Sequence, residues 1–118
     1  MTPLPGESIL LRVYCSAGDT HLGAPLHEAL VAAARAAGLA GASVMPGIMG
    51  YGRAGQIYSD VLAEYEAERQ PLVVELVDGA RRMETFLPTL WALVGERGLV
   101  TLERAEVVVY AAGAVEES

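Results

Sequence analysis

The stretch Pro71-Leu72-Val73-Val74-Glu75-Leu76-Val77 is the clearest strand signal in the sequence, and the fold prediction starts from it. Its aliphatic and β-branched residues favour extended backbone, and Asp78 directly after it is a typical helix N-cap. Between Asp78 and Gly98, apolar residues recur at spacings of three and four. This period predicts one helix with a buried stripe made of Met83, Phe86, Leu87, Leu90, Trp91 and Val94.

The same order of strand and helix occurs near the N-terminus. Ser8 to Cys15 alternates between two faces, which predicts a strand with Ile9, Leu11, Val13 and Cys15 on one side and Leu10, Arg12 and Tyr14 on the other. Pro25 suits the first position of a helix, because its missing N–H has no partner there in any case. Gly38 is a typical left-handed helix end, so a helix is predicted between these two residues.

Two further stretches complete the predicted fold. Residues 42–50 are expected to be extended, and Pro46 marks an edge or a bulge there. Residues 99–102 and 105–110 are also expected to be extended, either as one bulged strand or as a strand with a short addition. The resulting order predicts an α+β, ferredoxin-like βαββαβ domain, with a four-stranded antiparallel sheet in spatial order 4-1-3-2 and two helices on one face. The other face carries many apolar residues and has no helix left to cover it. Burial against other subunits is therefore expected.

The overall composition limits the class of protein. A length of 118 residues suggests one domain, placed at 8–110, with flexible ends at 1–7 and 111–118. The net charge of −7, without a basic cluster, argues against nucleic-acid binding. No apolar run reaches the roughly 18 residues of a membrane span, and the N-terminus lacks the features of a signal peptide. We therefore expect a cytoplasmic protein that does not insert into a membrane.

A glycine-rich segment at residues 47–57 is the most constrained part of the chain. Gly50, Gly52 and Gly55 match G-x-G-x-x-G, but residues 56–60 do not open an amphipathic helix and the chain is short for a dinucleotide-binding fold. Closely spaced glycines can instead expose N–H groups to an anion, with Arg53 as a charged donor. The alternative, that these glycines only shape a bulged strand end, stays open. The residues expected to bind ligand are Gly47, Gly50, Tyr51, Gly52, Arg53, Gly55 and Gln56.

Several of these stretches resemble the PII-like family catalogued as domain of unknown function 190. The similar stretches are 23–30 (Gly-Ala-Pro-Leu-His-Glu-Ala-Leu), 38–44 (Gly-Leu-Ala-Gly-Ala-Ser-Val), 47–52 (Gly-Ile-Met-Gly-Tyr-Gly) and 71–78. The resemblance covers roughly residues 8–110, and 47–52 is its most specific part. It implies a ferredoxin-like homotrimer, a small anionic ligand between subunits, with an adenine nucleotide as one candidate, and a mobile loop at about 53–70. Some relatives are associated with fluoride-exporter-like membrane proteins, which suggests a membrane transporter as partner.

One departure from PII proteins concerns nucleotide binding. PII proteins grip nucleotide phosphates with a loop rich in glycine and lysine between the second helix and the fourth strand. The corresponding residues here, Gly95-Glu96-Arg97-Gly98, are few and include no lysine. The resemblance thus supports the scaffold better than it supports ATP, and a mononucleotide or another anion stays open as the ligand.

No catalytic residue, metal site or cofactor is predicted. Cys15, Asp19, His21 and His27 lie within a short stretch, but their spacing matches no familiar metal site and suggests no activated nucleophile. The protein is therefore expected not to be an enzyme. A small enzyme on the same oligomeric scaffold is the alternative, and a purely structural oligomer is a third hypothesis.

Two expectations concern particular side chains. Tyr58 and Tyr65 lie in the long connection, where they are expected to be exposed and to pack on a partner. If the even-numbered residues of 71–77 meet the helices, Glu75 shares the open face of the sheet with Arg12. An isolated charge buried there would be costly, so the two are expected to form a pair.

Overall fold

The computed structural model describes residues 6–111, apart from the side chains of residues 62–64. Residues 1–5 and 112–118, which make up most of the two ends expected to be flexible, lie outside this description. The main elements are the strands β1 (Gly6–Ser16), β2 (Gly41–Pro46), β3 (Pro71–Gly79) and β4 (Leu99–Val107) and the helices α1 (Leu26–Ala36) and α2 (Ala80–Val94).

The four strands form one antiparallel sheet in the order β2-β3-β1-β4. This is the predicted order 4-1-3-2, and it confirms the α+β, ferredoxin-like prediction. The register between β1 and β4 is regular from Gly6 opposite Val107 to Tyr14 opposite Leu99. The C-terminal strand is therefore one continuous strand without a bulge, and it ends at Val107 rather than at Tyr110.

The core lies between one sheet face and the two helices. Its fully buried side chains come from alternate positions of the central strands and from one stripe of each helix: Leu11, Val13, Val74, Leu76, Leu30 and Leu90. The predicted stripe of α2 is correct except at Trp91, which is 51% exposed. Trp91 follows Leu90 directly and is therefore turned about 100° away from the buried stripe.

The starts of both helices differ by a residue or two from the prediction. Pro25 is the N-cap of α1 rather than its first helical residue. Asp78 is still part of β3, and the backbone of Gly79 forms the N-cap of α2. The buried Asp78 carboxylate instead accepts a hydrogen bond from Ala40 N at 3.0 Å, so it fixes the connection between α1 and β2. Gly38 ends α1 at a φ of 77°, as predicted.

The second predicted strand ends early, and the long connection has local structure. β2 ends at Pro46 rather than at Gly50. Met49–Gly50 then pairs with Tyr58–Ser59 as a short hairpin, and three helical turns follow at Asp60–Leu62, Ala63–Glu66 and Ala67–Arg69. Pro46 has no N–H to continue the ladder, which explains the break. Within residues 6–111, no helix is both long and apolar enough to cross a bilayer.

Candidate ligand site

The glycine-rich segment leaves the sheet at the end of β2, close to the start of β3. Gly47 N donates to the carbonyl oxygen of Pro71 at 2.8 Å. A Cβ atom at Gly47 would lie 3.1 Å from Cγ of Pro71, so glycine permits this close approach. Asp60 N donates to the carbonyl of Ile48 at 2.9 Å, which closes the base of the hairpin. Gly47 and Gly50 thus lie at the base of the segment, beside the sheet.

The other expected ligand-binding residues lie at the hairpin tip. Gly55 N donates to the carbonyl of Gly52 at 2.9 Å and closes a turn. Gly55 has a φ of 75°, which a residue with a side chain rarely adopts. Tyr51 is 72% exposed, and Gln56 is exposed as well. The structure therefore divides the expected site into a base and a tip.

Arg53 connects this tip to a second loop. Its Nη1 donates to the backbone carbonyl of Glu96, which is 43 residues away in the sequence. Glu96 belongs to the turn Gly95–Gly98 between α2 and β4. The contact brings the only charged side chain of the expected site next to that turn.

Backbone donors contribute less to this site than the sequence suggested. The N–H groups of Gly47 and Gly55 already donate to backbone carbonyls, so neither is free for an anion. In the turn, Arg97 donates to the carbonyls of Leu93 at 2.8 Å and Val94 at 3.3 Å and thereby caps α2. Arg53 is exposed and makes one backbone contact. Its guanidinium has five N–H donors, so it retains donors for an anion.

The far end of the long connection is anchored by contacts that the sequence did not reveal. Ala17 N donates to the carbonyl of Gln70 at 2.9 Å, and Gly18 N donates to that of Glu68 at 2.8 Å. Tyr58 is only 1% exposed, so the expectation of an exposed tyrosine was wrong at this position. Tyr65 is 79% exposed, as expected. No periodicity signals the burial of Tyr58, because it follows from tertiary packing of a loop.

The open face of the sheet carries the predicted ion pair. Arg12 and Glu75 are directly opposite each other in the register of β1 and β3, and Nε of Arg12 lies 2.8 Å from Oε2 of Glu75. Glu103 on β4 adds a second contact at 3.2 Å. The hydrogen bond to Glu75 and the negative charge of both carboxylates raise the pKa of Arg12 above its ordinary value. The prediction of a charge pair on this face is confirmed.

Two of the residues considered for metal binding or nucleophilic chemistry, Asp19 and Cys15, have environments that argue against those roles. The Asp19 carboxylate accepts a hydrogen bond from Ser16 N at 2.9 Å and shapes the turn after β1. Burial, together with the nearby charge of Asp19, raises the pKa of Cys15 to about 11, which disfavours the reactive thiolate. Among the described residues, no three His, Cys, Asp or Glu side chains are grouped closely enough to hold a metal ion.

Comparison with known proteins identifies the family. Residues 8–107 match the model of DUF190, described as "Uncharacterized ACR, COG1993". The chain belongs to the DUF190 family. A UPF0166 protein of Aquifex aeolicus is 33% identical over 99 residues, which is 84% of this chain and 91% of that protein. A UPF0166 protein of Methanocaldococcus jannaschii is 28% identical over 97 residues, covering 79% and 84% of the two chains.

Solved structures of PII-like proteins share the fold of this DUF190 protein. CPII of Thiomonas intermedia, a nitrogen regulatory PII-like protein bound to ADP, AMP and bicarbonate, superposes with a TM-score of 0.56 at 16% identity, covering 87% of this chain and 90% of CPII. A PII-like signaling protein of Thermus thermophilus gives a TM-score of 0.57 at 16% identity, covering 92% and 93% of the two chains. At this identity the likeness establishes the fold.

Proposed function

We propose that this DUF190 protein is a trimeric, cytoplasmic PII-like sensor rather than an enzyme. It binds a small anionic ligand in clefts between subunits and regulates a partner protein through the connection at residues 53–70. A membrane transporter is the candidate partner. The ligand lies against the segment that carries the expected binding residues Gly47, Gly50, Tyr51, Gly52, Arg53, Gly55 and Gln56. Arg53 supplies the charged donor, and Gly47 and Gly55 shape the backbone rather than donate their N–H groups.

The observation that carries this proposal is the contact of Arg53 with the turn at Gly95–Gly98. It joins a glycine-rich tip to the turn after α2 and leaves a guanidinium at their junction. Arginine is well suited to recognise phosphate and carboxylate groups because its planar donors bind two oxygens at once. A ligand that bridges the tip and the turn would thus be held by Arg53 in particular.

The charge of the site favours a small anion over a nucleoside triphosphate. Within the two segments, Arg97 already caps α2, which leaves Arg53 as the cation for the ligand. One arginine suits a mononucleotide, a diphosphate or a carboxylate-like anion. CPII, which has the same fold, is bound to ADP, AMP and bicarbonate, so these ligands are the first to test.

The trimer is supported by the uncovered face of the sheet. Cross-strand partners share a face, so Leu10, Tyr14, Met45 and Leu99 lie on the side opposite the helices, together with the Arg12–Glu75 pair. Of these, Tyr14, Met45 and Leu99 are exposed in the single chain. Apolar surface of this kind is typical of an interface between subunits.

The connection at 53–70 supplies a surface for a partner. Ile57, Val61 and Tyr65 are large apolar side chains that are all exposed. Exposed apolar residues on a loop are typical of protein contacts. A ligand that engages Arg53 at one end of this connection would alter how these side chains are presented.

Titration calorimetry with AMP, ADP, ATP and bicarbonate tests the proposal. We expect saturable binding of at least one of them, and Arg53→Ala should weaken that binding about 10- to 150-fold, the loss of one charge-assisted hydrogen-bonding group. Arg81→Ala, which removes an exposed arginine from α2, is the matched control and should bind as the wild type does. Equal affinities for the Arg53 and Arg81 variants would remove Arg53 from the site.

A further inference from the structure

A groove lies between α1 and β2 on the helix side of the sheet. Its volume is about 640 Å³, which is within the range of small-molecule sites. Val31 of α1 and Val44 of β2 line the groove and also pack against the hydrophobic core, so its floor is apolar. Ala32 and Ala36 add small apolar side chains from the helix. None of the residues expected to bind ligand in the glycine-rich segment lines this groove.

Arg35 lines the groove near the C-terminal end of α1. Within residues 6–111, its guanidinium forms no ion pair. A guanidinium beside an apolar wall suits a carboxylate with an apolar body, because two of its N–H groups can bind both carboxylate oxygens. Glu28 also lines the groove, and its negative charge disfavours an anion with more than one charge. The groove therefore selects a monocarboxylate.

His27 lines the groove near the other end of α1. Its Nδ1 atom is buried and has no hydrogen-bond partner among the described residues. A buried N–H group without an acceptor is costly, so the proton of the neutral ring belongs on Nε2. The Nε2–H group of His27 is therefore the donor that this ring offers to an oxygen atom in the groove.

We propose that this groove binds a monocarboxylate that has an apolar body and an oxygen atom at its far end. Arg35 binds the carboxylate, the apolar wall contacts the body, and His27 donates to the far oxygen. Arg35 follows His27 by two turns of α1, or ~12 Å along the helix axis, so a chain of medium length connects the two contacts. The site is separate from Arg53, and the inference goes beyond the proposed function without depending on it.

Titration with octanoate, followed by amide NMR spectra of the whole chain, tests the site. Saturable shifts are expected in α1 and β2 at millimolar octanoate, and octanol, which has no carboxylate, should bind more weakly. Arg35→Gln should weaken octanoate binding about 10-fold, the loss of a charge-assisted hydrogen bond. Arg81→Gln, the same change at an exposed arginine of α2, is the matched control and should bind as the wild type does. The spectra also show whether each variant is folded.

A second acid tests the role of His27. The wild type should bind ω-hydroxyoctanoate about 2- to 10-fold more tightly than octanoate, the gain from one hydrogen bond. His27→Phe keeps a ring of similar shape and should lose this preference. Equal affinities of the wild type for the two acids would remove His27 from the site.

Three results would overturn the proposal: no saturable shifts in α1 and β2, equal binding of octanol and octanoate, or equal octanoate affinities for the Arg35 and Arg81 variants. Arg53→Ala separates this site from the proposed sensor site. This variant should bind octanoate as the wild type does. If it loses octanoate binding, the carboxylate occupies the site at Arg53, so the assignment to the groove is wrong and the proposed function stands.

Discussion

Gly18→Ala should detach the end of the long connection from the turn after β1. A Cβ atom at Gly18 would lie 2.7 Å from Cβ of Glu68 and 2.9 Å from its carbonyl oxygen. Both atoms belong to or lie next to the backbone, so the strain cannot be relieved by rotating a flexible side chain. The segment at 67–70 must therefore move, and the hydrogen bonds from Ala17 to Gln70 and from Gly18 to Glu68 would be lost or lengthened.

The size of the effect follows from these contacts. Each hydrogen bond contributes about 0.5–1.5 kcal/mol net, so losing both lowers the free energy of unfolding by about 1–3 kcal/mol. Overpacking of a close contact gives a loss of similar size. With a urea dependence of about 1–3 kcal/mol per molar for a small domain, the unfolding midpoint should fall by roughly 1 M.

Urea unfolding at a fixed protein concentration measures this change, and Gly52→Ala is the matched control. A Cβ atom at Gly52 would meet nothing within 4 Å, so that variant should unfold like the wild type. Amide exchange should also become faster in residues 67–70 of Gly18→Ala. Free energies of unfolding that agree within about 0.5 kcal/mol for the two variants would refute the account of Gly18.

Three further predictions concern ionisable groups. At pH 8 the folded protein should react with iodoacetamide at Cys15 about 100-fold more slowly than an unfolded thiol, because a pKa of about 11 in place of 9.0 lowers the thiolate fraction by that factor. Because the pKa of Cys15 is higher in the folded than in the unfolded protein, Cys15 should leave the free energy of unfolding unchanged below pH 9 and lower it between pH 9 and 11. A Cys15→Ser variant whose free energy of unfolding falls by the same amount over that range would contradict this. Glu75→Ala should weaken the trimer more than Glu103→Ala, because Arg12 has its shorter contact with Glu75. Equal dissociation of the two variants on dilution would show that the pair plays no part in assembly.

The candidate site could be predicted from the sequence only in part. The glycines at 47–55 indicated a backbone conformation that residues with side chains rarely adopt. Gly47 does approach Pro71 closely, and Gly55 has a left-handed φ. The expectation that these glycines present free N–H groups did not hold for the same two residues, because backbone carbonyls occupy them. Hydrogen-bond partners across a loop depend on its path in space, which no local pattern encodes.

The sequence by itself determined the fold and the pairing of charges on the open sheet face. Alternation in β1 and β3 assigns each residue to a face, and this placed Arg12 and Glu75 together once the strands were neighbours. Only the tertiary structure decided the burial of Tyr58, the contact of Glu68 with Gly18 and the contact of Arg53 with Glu96. These contacts join irregular segments that are distant in the chain. Periodicity carries information within one helix or strand, whereas contacts between loops are fixed by how the whole domain packs.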